Sequence, residues 1–429
     1  MKLNQKTMPC LAIVLIYCSI TFVWNLLSLD LNDAVFLFLV AAFIISIFRR
    51  PLRIKSSLSG EVLCIIAMTA FAIVQFIRAQ LSLKQSAFEN FLTIREILYI
   101  LVALPFAFSW ITTEKCIRWM VKLELIGAFL YFICFLMKAP ISPFAYFPGS
   151  SVLIGQNELY RDFCPIPLLT MFICPYIAFG IANRRYIWNR RRDMFCLIAI
   201  CVTLGLHMFR TRMFVLAIEL IVTAVISLEK QKRKNILKRI NRAFGILILL
   251  SVIAVAVPSI RQRFLEGIRD IAYAMSGNEL NPYNGTFTYR MWLFSFRIQY
   301  LLENNMLMFG MGAISSRDAT AYFGNDSLLT SMATVYNPDN AYMTLLSRYG
   351  IFGIVFYVGI LIILMVLCFK KRSKLSICTA MYIGSMLIEG LSGNSALCEY
   401  SLILIGMLVG LCMSEKNSMQ RSRLNWRER

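Results

Sequence analysis

Apolar residues in this chain come in long unbroken runs rather than at every third or fourth position. The runs are about 20 residues long, the length a helix needs to cross about 30 Å of hydrocarbon. They predict membrane-spanning helices near residues 8–29, 31–48, 60–80, 91–110, 120–138, 165–182, 194–209, 212–228, 244–260, 341–369, 376–393 and 396–413. A soluble helical core would need polar faces on most of these helices, and those faces are missing. The pattern predicts an all-α fold, a polytopic membrane helix bundle of about twelve spans. Residues 1–429 form a single integral-membrane domain in this reading. The first run is long enough to span and no small-residue cleavage site follows it, so it reads as an uncleaved helix. Pro105 and Pro175 lie inside runs and predict kinks, which a bundle tolerates when neighbours satisfy the freed carbonyls.

Two polar stretches are more than turns. One covers 139–164, where Pro140, Pro143, Pro148 and Gly149 precede Glu158-Leu159-Tyr160-Arg161-Asp162. The other is the long segment 261–340. Inside it, Thr288 to Glu303 reads as a short amphipathic helix, because good helix formers continue without Pro or Gly. Thr286 or Thr288 is placed to cap its start. Arg290 and Arg297 are seven apart, so they share one helical face. The other face is rich in Met, Trp, Leu and Phe and is expected to lie against the membrane or the bundle. An interfacial helix with solvated arginines is the plainer account. The segment ends in Asn337-Pro338-Asp339-Asn340, where Pro338 favours an extended Asn337 and Asp339 or Asn340 can cap the next helix.

Composition agrees with the periodicity. The chain is 59% hydrophobic with a mean hydropathy of +0.67, against about 45–50% apolar for soluble domains. A net charge of +21 would suggest nucleic acid in a soluble protein. Here the basic residues alternate: 30 of the 44 fall in the N-terminus, loops 49–59, 111–122, 183–193, 229–243 and 370–375, and the tail after 413. That alternation predicts both termini in the cytoplasm and no nucleic-acid partner. Of the thirteen cysteines, Cys18, Cys64, Cys134, Cys201 and Cys368 lie inside apolar runs and are expected to act as small free hydrophobes. Only Cys164 and Cys398 fall near the predicted outer face.

The positive-inside rule leaves some basic residues unexplained, among them Arg161, Arg210, Arg212, Arg290, Arg297 and Arg317. Arg210-Thr211-Arg212 sits at a very short outer turn, where arginines either snorkel to headgroups or face a cavity. Several arginine sites on one face would suit a phosphate ligand, because guanidinium groups stay charged and bind phosphate oxygens bidentately. Ion pairs with Glu158, Asp162 or Asp270 are the competing account. Asp339 near arginines would stay ionised, the state a general base needs, although helix capping alone also explains a carboxylate there. His207 is the one histidine, near the outer end of a span, and reads as structural.

The order of these pieces carries a resemblance. Arg290-Met291-Trp292, then Met308-Phe309-Gly310-Met311-Gly312, then Asp339-Asn340-Ala341-Tyr342 leads to Tyr349-Gly350-Ile351-Phe352-Gly353. This resembles the region shared by O-antigen ligases and O-antigen or capsular polysaccharide polymerases. That pattern runs as Arg and Trp on a helix, a Gly-x-Gly turn, a His-Asn pair and a Gly-x-x-Gly span. Arg212 sits where the family tends to have a Ser-Arg step, and Arg161 resembles its outer-loop arginine. One position departs: Asp339 stands where the ligases have a histidine thought to act as base, which favours a polymerase.

The resemblance implies a C-type glycosyltransferase-like membrane enzyme in the bacterial cytoplasmic (inner) membrane, with its site on the outer face. Its substrate would be a polyprenyl-diphosphate-linked glycan, with the lipid bilayer and possible polysaccharide assembly proteins as partners. Arg161, Arg212 and Arg290 would hold the diphosphate, with Arg210 and Arg297 as weaker candidates. Asp339 would deprotonate or orient the acceptor, Asn340 would fix the turn, and Trp292 would contact substrate. Neither a metal nor a cofactor is expected, since arginines would neutralise the leaving group. Phosphate-binding P-loop, dinucleotide and zinc-enzyme motifs do not occur in the sequence. A ligase is one alternative. A transporter or flippase is another, because Arg95, Glu96, Glu124, Glu219 and Glu389 are charges inside predicted spans. No internal half-and-half repeat supports the transporter.

Overall fold

Inside hydrocarbon each backbone N–H and C=O needs a partner within the chain, so long apolar runs become helices. The computed structural model describes residues 8–21, 25–26, 29–49, 59–83, 86–107, 113–137, 151–154, 159–162, 169–206, 210–228, 286–312, 340–391 and 400–427, with a few isolated positions between 265 and 276. The helices are α1 (Met8–Thr21), α2 (Leu31–Arg49), α3 (Gly60–Leu83), α4 (Ala87–Leu98), α5 (Ala103–Ala107), α6 (Thr113–Met137) and α7 (Thr170–Ala182). They continue with α8 (Arg190–Leu206), α9 (Arg210–Leu228), α10 (Thr286–Glu303), α11 (Ala341–Lys370), α12 (Lys374–Glu389) and α13 (Tyr400–Arg427). Two short antiparallel ladders accompany them: β1 (Asn25–Leu26) with β2 (Leu29–Asp30), and β3 (Ser151–Ile154) with β4 (Leu159–Asp162).

Every expected span with described residues overlaps a helix, while the one at 244–260 lies outside the described residues. Among the described residues, Gly60–Leu81, Ala87–Ala107, Thr113–Met137 and Ala341–Lys370 are long and apolar enough to cross a membrane. Thr170–Ala182 and Ser401–Glu415 are shorter apolar helices. The architecture is that of a helical membrane protein.

The core forms around α13. Its residues 401–414 are buried on all sides, the condition of a helix that is apolar all round. Gly406 and Gly410 let it press on the backbone between Tyr99 and Ala103, since a Cβ on Gly406 would lie 2.9 Å from the Ile100 carbonyl oxygen. Small residues four apart permit this close crossing. The facing stretch is itself irregular: Tyr99–Val102 is a 3₁₀ turn between α4 and α5. Pro105 lies a turn beyond, and its missing N–H breaks the regular ladder there. The regular helix is thus interrupted next to Pro105, whereas α7 stays α-helical across Pro175. Among the cysteines whose side chains are described, Cys64 and Cys368 are buried and Cys201 is half-buried, as expected of small hydrophobes.

Helix α11 is two helices joined at a break. Gly350 has φ 68° and ψ −169°, a conformation open to glycine and closed to other residues. The break strands carbonyls on one side and N–H groups on the other, and the turn after α10 satisfies both sets. Met311 N donates to Ser347 O (2.7 Å) and Gly312 N to Arg348 O (2.9 Å). In return, Ile351 N donates to Leu307 O (3.0 Å) and Phe352 N to Met308 O (3.2 Å). Gly310, at φ 71°, faces Gly350 so closely that a Cβ on it would lie 2.5 Å from the Arg348 carbonyl carbon. The two glycine motifs are thus two sides of one joint.

At the far end of the bundle, α12 begins with a capping box in which Ser373 and Ser376 satisfy each other's backbone N–H. Next to it the Lys374 ammonium lies 3.7 Å above the Tyr176 ring and 3.3 Å from Arg185 O. Burial pushes its pKa down to about 8. Lys371 Nζ pairs with Glu61 Oε1 at 2.8 Å nearby.

Candidate functional site

The start of α11 is the meeting point of the predicted site. Asn340 is extended (φ −165°, ψ 119°), and its Oδ1 accepts from Tyr342 N (2.9 Å) and Met343 N (3.4 Å). Two of the N–H groups a helix leaves unpaired are satisfied in this way. Asn340 Nδ2 also donates to Leu391 O (3.3 Å), and Ala341 N donates to Gly390 O (2.9 Å). Tyr342 Oη reaches Leu387 O at 2.6 Å. The first turn of α11 is therefore tied to the last turn of α12.

Glu389 closes α12 at this place. Its Oε2 accepts from Arg212 Nε at 3.0 Å, with Arg212 only 8% exposed. The pair brings the first turn of α9 to the Asn340 cap across a long sequence separation. On another side, α10 packs on α11 through Leu301, Met343 and Leu346. The inward stripe of α10 is Arg290, Leu293, Arg297 and Leu301: Arg290 is half-buried, and Arg297 is 2% exposed.

That orientation disagrees with the plainer account, an interfacial helix with solvated arginines, and leaves the Met, Trp, Leu and Phe face free to lie against the membrane. The arginine face is the one turned inward, while Met291 and Leu302 are exposed. Trp292 lies on the flank, stacked on Phe296 with centroids 6.0 Å apart and beside Tyr289 at 6.2 Å. Buried guanidinium groups are costly unless they meet charge or hydrogen-bond acceptors, so this orientation is not one that apolar burial alone would select.

The remaining candidates are placed less fully. Arg161 lies on β4, opposite Val152 in the ladder, and Arg210 is the first residue of α9. The side chains of both, like Asp339, His207, Cys164 and Cys398 as a whole, lie outside the described residues. Arg212 does pair with a carboxylate, that of Glu389; Glu158, Asp270 and the side chain of Asp162 lie outside the described residues.

Sequence reading missed two contributors, Arg348 and Arg78, and did not give the partner of a third, Glu389. Arg348, 2% exposed on α11, lies 3.8 Å from Glu96 of α4. Both line a small cavity with Thr344, Tyr349 and Tyr357, with room for about one water-sized molecule. Arg78 of α3 reaches the Phe309 and Gly310 carbonyls. Glu389, first taken as a charge suited to a permeation path, is the partner of Arg212. Long sequence separation hid all three, although a buried charge in a span is a signal that a partner exists.

Two of the other charges inside spans, Arg95 and Glu124, also have partners. Arg95 Nε pairs with Asp33 Oδ1 (3.0 Å), which also accepts from Tyr99 Oη (2.7 Å). Thr170 Oγ1 donates to Glu124 Oε1. Breaking a buried pair on one side costs about 3–5 kcal/mol, whereas replacing both members by apolar groups is often neutral. Glu389→Ala should therefore lower the melting temperature of detergent-solubilised protein sharply. The double variant Arg212→Met/Glu389→Leu should recover most of that loss.

No curated protein matches the chain. The family model described as O-antigen ligase matches residues 195–358. That stretch begins in α8 and ends in the second half of α11, so it holds Arg210, Arg212, the arginine helix, both sides of the glycine joint and the Asn340 cap; Arg161 lies outside it. Over residues 195–358 the chain is similar to the O-antigen ligase family, and this match supports a place in the O-antigen ligase and polymerase superfamily.

Proposed function

We propose that the protein is a membrane glycosyltransferase that polymerises polyprenyl-diphosphate-linked oligosaccharide units into a surface polysaccharide such as O-antigen or capsule. The observation that carries this reading is the approach of two arginine-bearing elements to one helix start. Arg212 comes to the Asn340 cap through Glu389, and Leu301, on the stripe of α10 that also carries Arg290 and Arg297, packs with Met343 in the first turn of α11. Arg212, Asn340 and α10 fall within the family-matched stretch, and Glu389 lies beyond it. The family match supports an enzyme acting on a lipid-linked glycan in the membrane.

In the proposed reaction an acceptor hydroxyl oxygen attacks the anomeric carbon of the donor sugar. The bond from that carbon to the diphosphate oxygen breaks, and the diphosphate leaves with the bonding electrons. Arg290, Arg212 and Arg161 stabilise the charge that builds on it, with Arg210 and Arg297 close in sequence to assist. Preorganised donors of this kind often make the largest electrostatic contribution to such a step. The hydroxyl proton passes to the Asp339 carboxylate. Capping no longer accounts for a carboxylate at 339, because Asn340 supplies the cap of α11. The proposed arrangement has about twelve spans, both termini in the cytoplasm and the site on the outer face of the bacterial inner membrane, following the alternation of basic loops.

Ligase and transporter remain the rival readings. The partners found for Arg95, Glu96, Glu124 and Glu389 support a role for these charges in holding the bundle together. A deletion strain separates the three by the lipid-linked species it accumulates. The polymerase reading expects single repeat units on the outer leaflet. Long unattached chains would instead identify a ligase, and units retained on the cytoplasmic leaflet a flippase.

A further inference from the structure

The joint at Gly350 has a third member. Arg78, near the end of α3, sends one guanidinium nitrogen to Phe309 O and the other to Gly310 O at 2.6 Å, with its charge 5.9 Å above the Phe309 ring. Its neighbour Ala79 packs with Leu301, Met311, Met343 and Leu346. The turn that stitches the broken helix is therefore gripped from α3 as well as from α11.

Little slack separates this grip from the arginine helix. Helix α10 ends in a Schellman motif: Asn305, at φ 56°, donates to Leu302 O (3.1 Å) and Met306 N to Leu301 O (2.7 Å). Gly310 N then donates to Met306 O at 2.6 Å. The stitched residues begin at Leu307, so hydrogen bonds run from the last turn of α10 into the joint. Any rotation of α10 about its axis would have to break them, and that rotation decides where Arg290 and Arg297 point.

We propose that Arg78 is a positioning residue: with the Gly310–Gly350 joint it splints the turn 307–312 and so holds the arginine face of α10 toward the start of α11. The proposal rests on the diphosphate-transfer reading for its consequence, but its mechanical part stands by itself.

The test uses the full chain in lipid nanodiscs, with undecaprenyl diphosphate as the binding probe and hydrogen exchange as the mechanical readout. In Arg78→Ala, peptides covering 286–312 should exchange about tenfold faster, the scale of one lost charge-assisted hydrogen bond. Peptides covering 170–182 should not change. Undecaprenyl diphosphate should bind about tenfold more weakly, and Arg78→Lys should recover part of both effects. If Arg78→Ala does not fold, Arg78→Lys carries the test, with smaller shifts of the same sign.

Unchanged exchange across 286–303 would overturn the splint. Faster exchange with undiminished binding, in a preparation where Arg290→Ala does lose binding, would overturn the positioning role. If Arg290→Ala also binds normally, the diphosphate reading has failed, and the exchange result alone decides the splint.

Discussion

Replacing Arg290 by alanine is expected to cut glycan transfer by about 10²–10³-fold while the protein still inserts and accumulates normally. That magnitude is the usual loss when one preorganised donor to a developing oxyanion is removed. Arg290 is half-buried on the inward stripe of α10, one turn from Leu293 and two from Arg297. In the proposed reaction its removal would take away a fixed positive charge where the leaving diphosphate gains negative charge. Arg290→Lys should fall between the two, since an ammonium keeps the charge and loses the bidentate fork. The measurement is the polysaccharide length ladder in cells, together with the initial transfer rate in membranes. Wild-type chain length in Arg290→Ala would count heavily against the transfer reading.

The second large effect concerns folding. Gly350→Ala should cost more than about 3 kcal/mol, the upper end of the strain that one residue in a disfavoured backbone region stores. The backbone at 350 is left-handed in φ with an extended ψ, and an added Cβ would run into the Met308 carbonyl. The neighbours on that side are backbone atoms held by four reciprocal hydrogen bonds, so they cannot swing away as a side chain would. Against a typical total stability of about 5–15 kcal/mol, such a loss is large. It should appear as poor recovery of monodisperse protein in detergent and a lowered melting temperature. Gly359→Ala provides the control on the same helix, because a Cβ there meets nothing within 4 Å. Equal stability of the two variants would mean that the break at Gly350 is not required.

Particular elements show how far local patterns reached. The arginine helix was expected from Thr288 to Glu303 and runs from Thr286 to Glu303, because a stretch of good helix formers without Pro or Gly leaves few other options. The spacing of seven placed Arg290 and Arg297 on one face, as it must in any α-helix. Which way that face would point stayed open, between a solvated side and a buried one. Periodicity describes a helix relative to its own axis and contains nothing about what stands beside it. The Gly-x-Gly and Gly-x-x-Gly motifs were visible as separate signals, yet that each completes the other's backbone hydrogen bonds could not be read from either.

Long apolar runs by themselves determined a helical membrane protein, and Asp339-Asn340 before the next run determined a cap without saying which of the two supplies it, because both follow from hydrogen bonding within a few residues. Tertiary structure alone decided that Arg212 meets Glu389, that Arg348 lies beside Glu96, and that α11 breaks against the turn after α10. These partners lie tens to hundreds of residues apart. A buried charge or a stranded carbonyl announces that it needs a partner, but only the packing of distant helices chooses which one.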